Sequence, residues 1–224
     1  MAQYKKGLDT KHTILTISKK LFYENGYIKT SCKKICEEAE VNLGLIHYHF
    51  KTKKNIATII YTYFLIEVKD LVKNIMTNEL NNYELKYAIA VENWTYMSLL
   101  LKNESYKKFY YEICKESLLL DENTKIIEFF FKLHNNTYNL NLTPNEIKLI
   151  RVVNATSGMG LVEKYIEGYF DMTLEELIEY KIRNMFRLMN LSKDNIDEII
   201  QNSYEIYQKM NIGISDYFKA YEIK

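Results

Sequence analysis

Apolar residues recur at helical spacing along almost the whole chain, and strand-like alternation is weak throughout. The first stripe is Ile14, Ile17, Leu21 and Phe22, with Asp9 or Thr10 as candidate N-cap. It stops at Asn25-Gly26, because glycine takes the left-handed conformation that ends a helix. Thr30 stands where the next N-cap belongs, ahead of Cys32, Ile35, Cys36 and Ala39 on one face, and Val41 packs the following turn. Asn42 then opens a third helix of about seven residues, Leu43 to His49. Such a segment is too short to stand alone, so Leu45 or Ile46 must anchor it and Phe50 must close it against the two helices before it.

Beyond Lys53 a fourth helix is predicted to about Asn78, with Ile56, Ile59, Ile60, Tyr63, Phe64 and Val68 on its apolar side. Further helices read as 83–102, 105–119, 122–139, 144–168, 173–190, 193–210 and 214–222. Thr143-Pro144 is a helix start with proline at the tolerated first position, and Asp171 or Thr173 caps the next. With 7 Gly and 1 Pro in 224 residues, helices can run long. The pattern as a whole is that of an all-α protein.

The third helix carries the chemistry. His47, Tyr48 and His49 cannot all face inward. A short docked helix with Asn, His and Tyr outward and free N-terminal amides suits a DNA major groove. Lys51, Lys53 and Lys54 follow at once, where they can hold phosphates. Charge agrees. The net charge is +1, but residues 1–54 hold 11 Lys against 5 acidic residues, giving +6 and leaving −5 for the remainder. A basic head on an acidic body is the expected footprint of a DNA-binding segment joined to a regulatory one.

Other classes find less support. The N-terminus lacks the apolar core of a signal peptide, and the longest apolar stretch, Ile56 to Ile66, falls short of the ~20 residues a membrane span needs. These features predict a cytoplasmic protein with no membrane partner. Three Cys supply no disulfide framework. Cys32, Cys36, His47 and His49 fit no common zinc spacing, and the two cysteines stand where a buried face needs small apolar residues. No metal or cofactor is expected. The chain has no Gly-rich phosphate loop, no H-E-x-x-H and no G-x-S-x-G, so an enzyme is not predicted.

The stretch from Thr13 to Ala57 resembles the N-terminal domain of the TetR/AcrR family of transcriptional regulators. The resemblance rests on Leu21-Phe22, Gly26-Tyr27, Thr30-Ser31, Ile35, Ala39, Val41, Gly44, His49-Phe50 and Lys53-Lys54. There are two departures: the family usually has Gly where Glu40 stands and Tyr where His47 stands. A positive φ at Glu40 costs roughly 1 kcal/mol. The Tyr commonly contacts phosphate, so His47 would do so more weakly or in a pH-dependent way. The resemblance implies a helix-turn-helix DNA-binding domain at 1–54 and a helical ligand-binding and dimerisation domain at 55–224. The residues it assigns to DNA are Thr30, Ser31, Asn42, Leu43, Gly44, Leu45, His47, Tyr48, His49, Lys51, Lys53 and Lys54.

In the body, an aromatic and sulfur-rich set between residues 94 and 159 suits either a ligand pocket or a core. The resemblance tips it towards a pocket, with Trp94, Met97, Phe109, Tyr110, Cys114, Phe130, His134 and Met159 as ligand contacts. Tyr96, Tyr111 and Phe131 complete the set. Ser157, Gly158 and Gly160 allow close helix approach, and Ile178, Met185 and Phe186 make an apolar stripe. The resemblance implies that these six residues form a homodimer interface. The reading is therefore a homodimeric repressor, released from an inverted-repeat operator in double-stranded DNA by a small apolar or aromatic effector. Alternatives are a ligand-independent DNA-organising protein, an all-α enzyme and a helical interaction module.

Overall fold

In the computed structural model, residues 2–81, 83–120 and 125–223 are described, with the side chains of 2–6 and 125–128 left aside. The described residues form ten α-helices and one hairpin: α1 (Ala2–Asn25), α2 (Cys32–Glu38), α3 (Leu43–Phe50), α4 (Lys53–Asn78), α5 (Leu85–Lys102), α6 (Glu104–Lys115), α7 (Lys125–Tyr138), α8 (Pro144–Ile166), α9 (Leu174–Leu188), α10 (Lys193–Tyr207), β1 (Ile212–Ser215) and β2 (Lys219–Glu222). A 3₁₀ turn at Leu118–Leu120 follows α6. The architecture is all-α with an N-terminal helix-turn-helix. The expected start of the seventh helix at 122 lies outside the described residues.

Local chemistry sets most of these boundaries. Gly26 (φ 85°) ends α1, and the side chains of Asn42, Thr52 and Asn103 cap α3, α4 and α6. Thr143 and Thr173 each form a reciprocal capping box, with Glu146 and Glu176 respectively.

Three expectations are corrected. Helix α1 begins at Ala2, so Asp9 and Thr10 lie inside it; the Thr13 hydroxyl donates to the Asp9 carbonyl (2.9 Å) within the helix. Thr30 is not the cap of α2. It is fully buried, and its hydroxyl donates to the Gly26 (2.7 Å) and Leu21 (3.2 Å) carbonyls, while exposed Ser31 accepts from the Lys34 amide (3.1 Å). The segment 214–222 is not a helix. Ile212 pairs with Glu222 and Ile214 with Ala220 in an antiparallel hairpin whose turn holds Tyr217 and Phe218 at positive φ. The β-branched Ile212 and Ile214 flank Gly213, a combination that favours a strand and weakens a helix.

The hairpin matters because of what it touches. Phe218 is buried between Phe109 of α6 (ring centroids 4.5 Å) and Tyr106 (4.8 Å), with Tyr23 of α1 at 6.0 Å. The Tyr23 hydroxyl donates to the Asp216 carboxylate (2.7 Å), the Tyr106 hydroxyl to the Ser215 carbonyl (2.9 Å), and the Ala220 amide to Glu67 of α4 (2.9 Å). Helices α1, α4 and α6 are thereby tied together by the last elements of the chain. The core is one continuous cluster from Ile14 to Ala220, and α4 crosses the expected boundary at 54/55 without a break.

Glu40, in the turn between α2 and α3, keeps φ 53°. This left-handed backbone carries strain that a side chain bears and glycine does not. Glu40→Gly should therefore stabilise the protein by about 0.5–1 kcal/mol, after allowance for the extra freedom of an unfolded glycine. Urea titration with intrinsic fluorescence should show a higher midpoint at unchanged slope. A lower midpoint would mean that the carboxylate has a stabilising partner that outweighs the strain.

Candidate nucleic-acid interface and internal cavity

Helix α3 is held from beneath by Ile46 and Phe50, both buried, with Leu45 and Val41 packed at the margin of the core. The anchors fall at Ile46 and Phe50, one turn apart, so the opposite side must face out. There Tyr48 is 73% exposed and Leu43 49%, with Asn42, Gly44 and His47 also exposed. The Asn42 side chain accepts from the Leu45 amide (3.1 Å). His49 is half-buried, edge-on to Tyr48 (4.8 Å). The Nδ1 of His47 lies 3.0 Å from the Lys51 carbonyl, which orients the imidazole outward at the end of the helix.

The lysines divide. Lys51 is exposed and occupies the C-cap at φ 66°. Lys53 is committed to the fold: its ammonium donates to the Tyr27 and Thr30 carbonyls (2.9 Å each) and lies 4.1 Å from the centre of the Tyr27 ring. Burial pushes its pKa down. The expected phosphate contact by Lys53 is thus redirected, since most of its donors are already taken by the loop between α1 and α2. The expected offer of the Thr30 hydroxyl to phosphate is removed, because that group is buried and bonded within the head. On α2, exposed Lys33 lies 3.8 Å from Glu37, and Lys34 beside it is half-buried.

The head is locked to the body by α6. Glu112 accepts from the Ile28 amide (2.8 Å) and Lys108 donates to the Asn25 carbonyl (2.9 Å). Both side chains converge on Gly26, where an added Cβ would fall 2.7 Å from Lys108 and 2.8 Å from Glu112.

The body contains a cavity of about 170 Å³ between α4, α5, α7, α8 and α9, adjoining a smaller one of about 90 Å³. The two share Tyr61, Thr62, Leu65, Asn93, Tyr96 and Asn154. The larger compartment adds Phe130, Phe131, Met185 and Glu92; the smaller adds Tyr110, Met159 and Lys181. Tyr61 and Tyr110 stack at 5.5 Å, and the Tyr96 hydroxyl donates to Asn93 (3.0 Å). Of the eight residues expected to contact a ligand, Tyr110, Phe130 and Met159 line this space. Trp94 does not: it packs α5 on α10 against Tyr204 (4.9 Å), its indole N–H donating to Ser203 (3.3 Å). Phe109 serves the head–body junction, stacked on Phe22 at 5.8 Å. Cys114 is a buried thiol pushed up to about 12 by desolvation. His134 stacks on Phe130 (4.5 Å), its Nδ1 3.1 Å from the Phe130 carbonyl, outside the cavity wall; burial lowers its pKa. Met97 lies behind the wall, its sulfur 3.4 Å from the Lys181 ammonium. Sequence spacing marked these residues as inward-facing but not which neighbour each would meet. The polar wall residues Asn93, Asn154, Glu92 and Lys181 were missed, because polar groups on an amphipathic helix look like solvated ones.

The dimer expectation shifts in the same way. Ile178, Met185 and Phe186 are buried inside the protomer. Gly158 is also buried and Ser157 half-buried, accepting from Asn184 (3.4 Å), while Gly160 is exposed with open space beside it. The exposed apolar stripe of α8 is instead Leu149, Val152 and Val153, 44–58% exposed, in line with Gly160; Tyr180 of α9 is exposed as well. No described helix is long and apolar enough to cross a membrane.

Comparison with known proteins places the head. Residues 14–58 match the family model described as bacterial regulatory proteins, tetR family. A stretch of 49 residues is 41% identical to the HTH-type transcriptional regulator QacR of Staphylococcus aureus (strain Mu50 / ATCC 700699), covering 22% of this chain and 26% of QacR. A 73-residue stretch is 29% identical to the uncharacterized protein 247L of Invertebrate iridescent virus 6, covering 33% of this chain and 60% of that one. The chain therefore spans only about a quarter of QacR's length in the match. The chain is similar in fold to the crystal structure of RolR in complex with the ligand resorcinol, at 13% identity and TM-score 0.62, covering 88% of this chain and 95% of that one. RolR without ligand gives 11% identity and 0.58, covering 85% and 96%.

Glu92 supplies a pH test of the cavity wall. Burial raises its carboxyl from 4.5 to about 7. Below pH 4.5 both folded and unfolded forms are protonated and the group is neutral to stability. Between 4.5 and 7 the unfolded chain releases its proton first, so stability falls as pH rises; above 7 the loss is complete. Glu92→Gln should flatten this slope and be more stable than the parent at pH 8 by about 1–3 kcal/mol. Urea unfolding at pH 5 and pH 8 measures it, and parallel pH profiles for the two proteins would refute it.

Proposed function

We propose that this chain, whose head belongs to the tetR family of bacterial regulatory proteins, is a homodimeric cytoplasmic repressor released from DNA by a small molecule. The observation that carries the reading is α3: a helix buried through Ile46 and Phe50 that presents Tyr48, Leu43 and His47 to solvent beside an exposed lysine. These groups enter a major groove, Tyr48 and Asn42 meeting base edges and Ser31 and Lys51 meeting phosphate. RolR's bound resorcinol supports a ligand in the body, as does a cavity in the corresponding helical region.

Coupling follows the helices that touch both sites. Helix α4 contributes Tyr61, Thr62 and Leu65 to the cavity and Lys53 to the loop beneath the reading head. Helix α6 contributes Tyr110 to the cavity and, two residues on, Glu112 to the Ile28 amide. An occupant that prefers one arrangement of α4 and α6 alters the separation of the two heads in the dimer. A ligand with equal affinity for both arrangements would shift nothing. A coupling of roughly 1–3 kcal/mol lowers operator affinity 5–150-fold.

An operator selected from random duplexes should be an inverted repeat with half-sites about one helical turn, ~34–36 Å, apart or a multiple of it. On that operator, Tyr48→Ala should change the ranking of base variants, with about 1–3 kcal/mol of discrimination lost at one position. Lys51→Met should weaken all sequences alike and reduce the salt slope by about 0.9. Equal effects of both changes on every sequence would contradict the division of labour.

The dimer forms through α8 and α9, with Leu149, Val152, Val153 and Tyr180 as apolar contacts and Gly160 at the closest approach. Sedimentation should give a dimer at micromolar concentration, and Val153→Glu should give a folded monomer with weakened operator binding. A monomeric parent protein would overturn this arrangement.

A further inference from the structure

Lys181 is a half-buried cation placed in the wall of the cavity between the body helices, with little to neutralise it. Its described hydrogen bond is to the sulfur of Met97 at 3.4 Å. A thioether is a weak acceptor, and an ammonium carries three donors. No described ion pair includes Lys181. Burial pushes its pKa down to about 8. A charge held this way is unfavourable unless something brings a counter-charge.

The surroundings say what kind of molecule would do so. The compartment bearing Lys181 is walled by Tyr61, Tyr110 and Tyr96, and opens to the larger one along Tyr61, Tyr96 and Asn154. The far compartment ends on Phe130 and Glu92. Volumes of about 170 and 90 Å³ fall below the ~300–1,000 Å³ of drug-sized sites, which limits the occupant to about one ring. Glu92 at one end and Lys181 at the other give the space a polarity, so an acidic ligand has one favourable orientation.

We propose that the cavity binds a single-ring aromatic compound carrying an anionic oxygen, which pairs with the Lys181 ammonium while the ring lies between Tyr96 and Phe130. The proposal rests on the effector reading above and adds the class of effector. Carboxylate and phenolate share the chemistry; Lys181 answers to the charged oxygen, and the tyrosine wall to the ring.

The test uses the full-length protein with benzoate, 4-nitrophenolate and the neutral isostere benzamide, followed by calorimetry and thermal shift. One or both anions should bind at least about tenfold more tightly than benzamide. Lys181→Met should remove that preference while leaving benzamide unchanged, and should melt no lower than the parent, since a half-buried charge without an ion pair among the described residues has been replaced by an apolar chain of similar length. Lys181→Arg should retain part of the preference. Equal binding of benzamide and the anions, undiminished anion binding by Lys181→Met, or no saturable binding at millimolar concentration would each overturn the proposal. Operator affinity is measured in the same samples. Lys181-dependent anion binding without loss of operator affinity would uphold the ligand class and overturn relief of repression.

Discussion

The position of the reading head depends on the absence of a side chain at residue 26. Gly26 ends α1 in a left-handed conformation, and the space it leaves admits Lys108 and Glu112 of α6. Lys108 donates to the Asn25 carbonyl at the end of α1, and Glu112 accepts from the Ile28 amide of the loop leading to α2. Any other residue would strain the backbone and push these two side chains off their partners. Helix α3 is too short to hold itself, so its orientation is inherited from α1 and α2, and theirs from this junction.

The head was legible in the sequence because its instructions are local. Asn25-Gly26, Asn42 and the spacing of Ile46 and Phe50 act within a few residues of where they stand. The body was legible as helices, for the same reason, but not as a site. Phe109 and Trp94 sit on similar apolar faces, yet one ends at α1 and the other at α10, and periodicity carries no address. The stripe Ile178, Met185 and Phe186, which the resemblance implies is an interface, is buried on the inner face of α9. The weaker stripe of α8, Leu149, Val152 and Val153, was the one left uncovered. The hairpin was missed because Ile212 and Ile214 give only two alternating positions before the turn.

The polar groups of the cavity follow one rule. Glu92 is held nearer its neutral form and Lys181 is drawn towards its own. Burial works against the charged form of each, and shifts of this kind in a cleft mark candidate functional groups. Structural ions in this protein look different: Arg183 bonds both Glu179 and Asp197, and Lys86 bonds Glu198, at the half-exposed seam of α5, α9 and α10.

Among the described residues, the hairpin makes a contact with α1 that is distant in sequence. Tyr23 meets Asp216, Tyr217 and Phe218, nearly two hundred residues downstream. During synthesis the three helices of the head can collapse on Ile14, Ile35 and Ile46 while the remainder is still being made. The flank of α1 at Tyr23 then stays bare until the hairpin residues Asp216, Tyr217 and Phe218 emerge. A nascent chain thus carries the α3 surface proposed to meet DNA before it carries the brace that fixes its angle, and acquires that brace only after translation has passed Phe218.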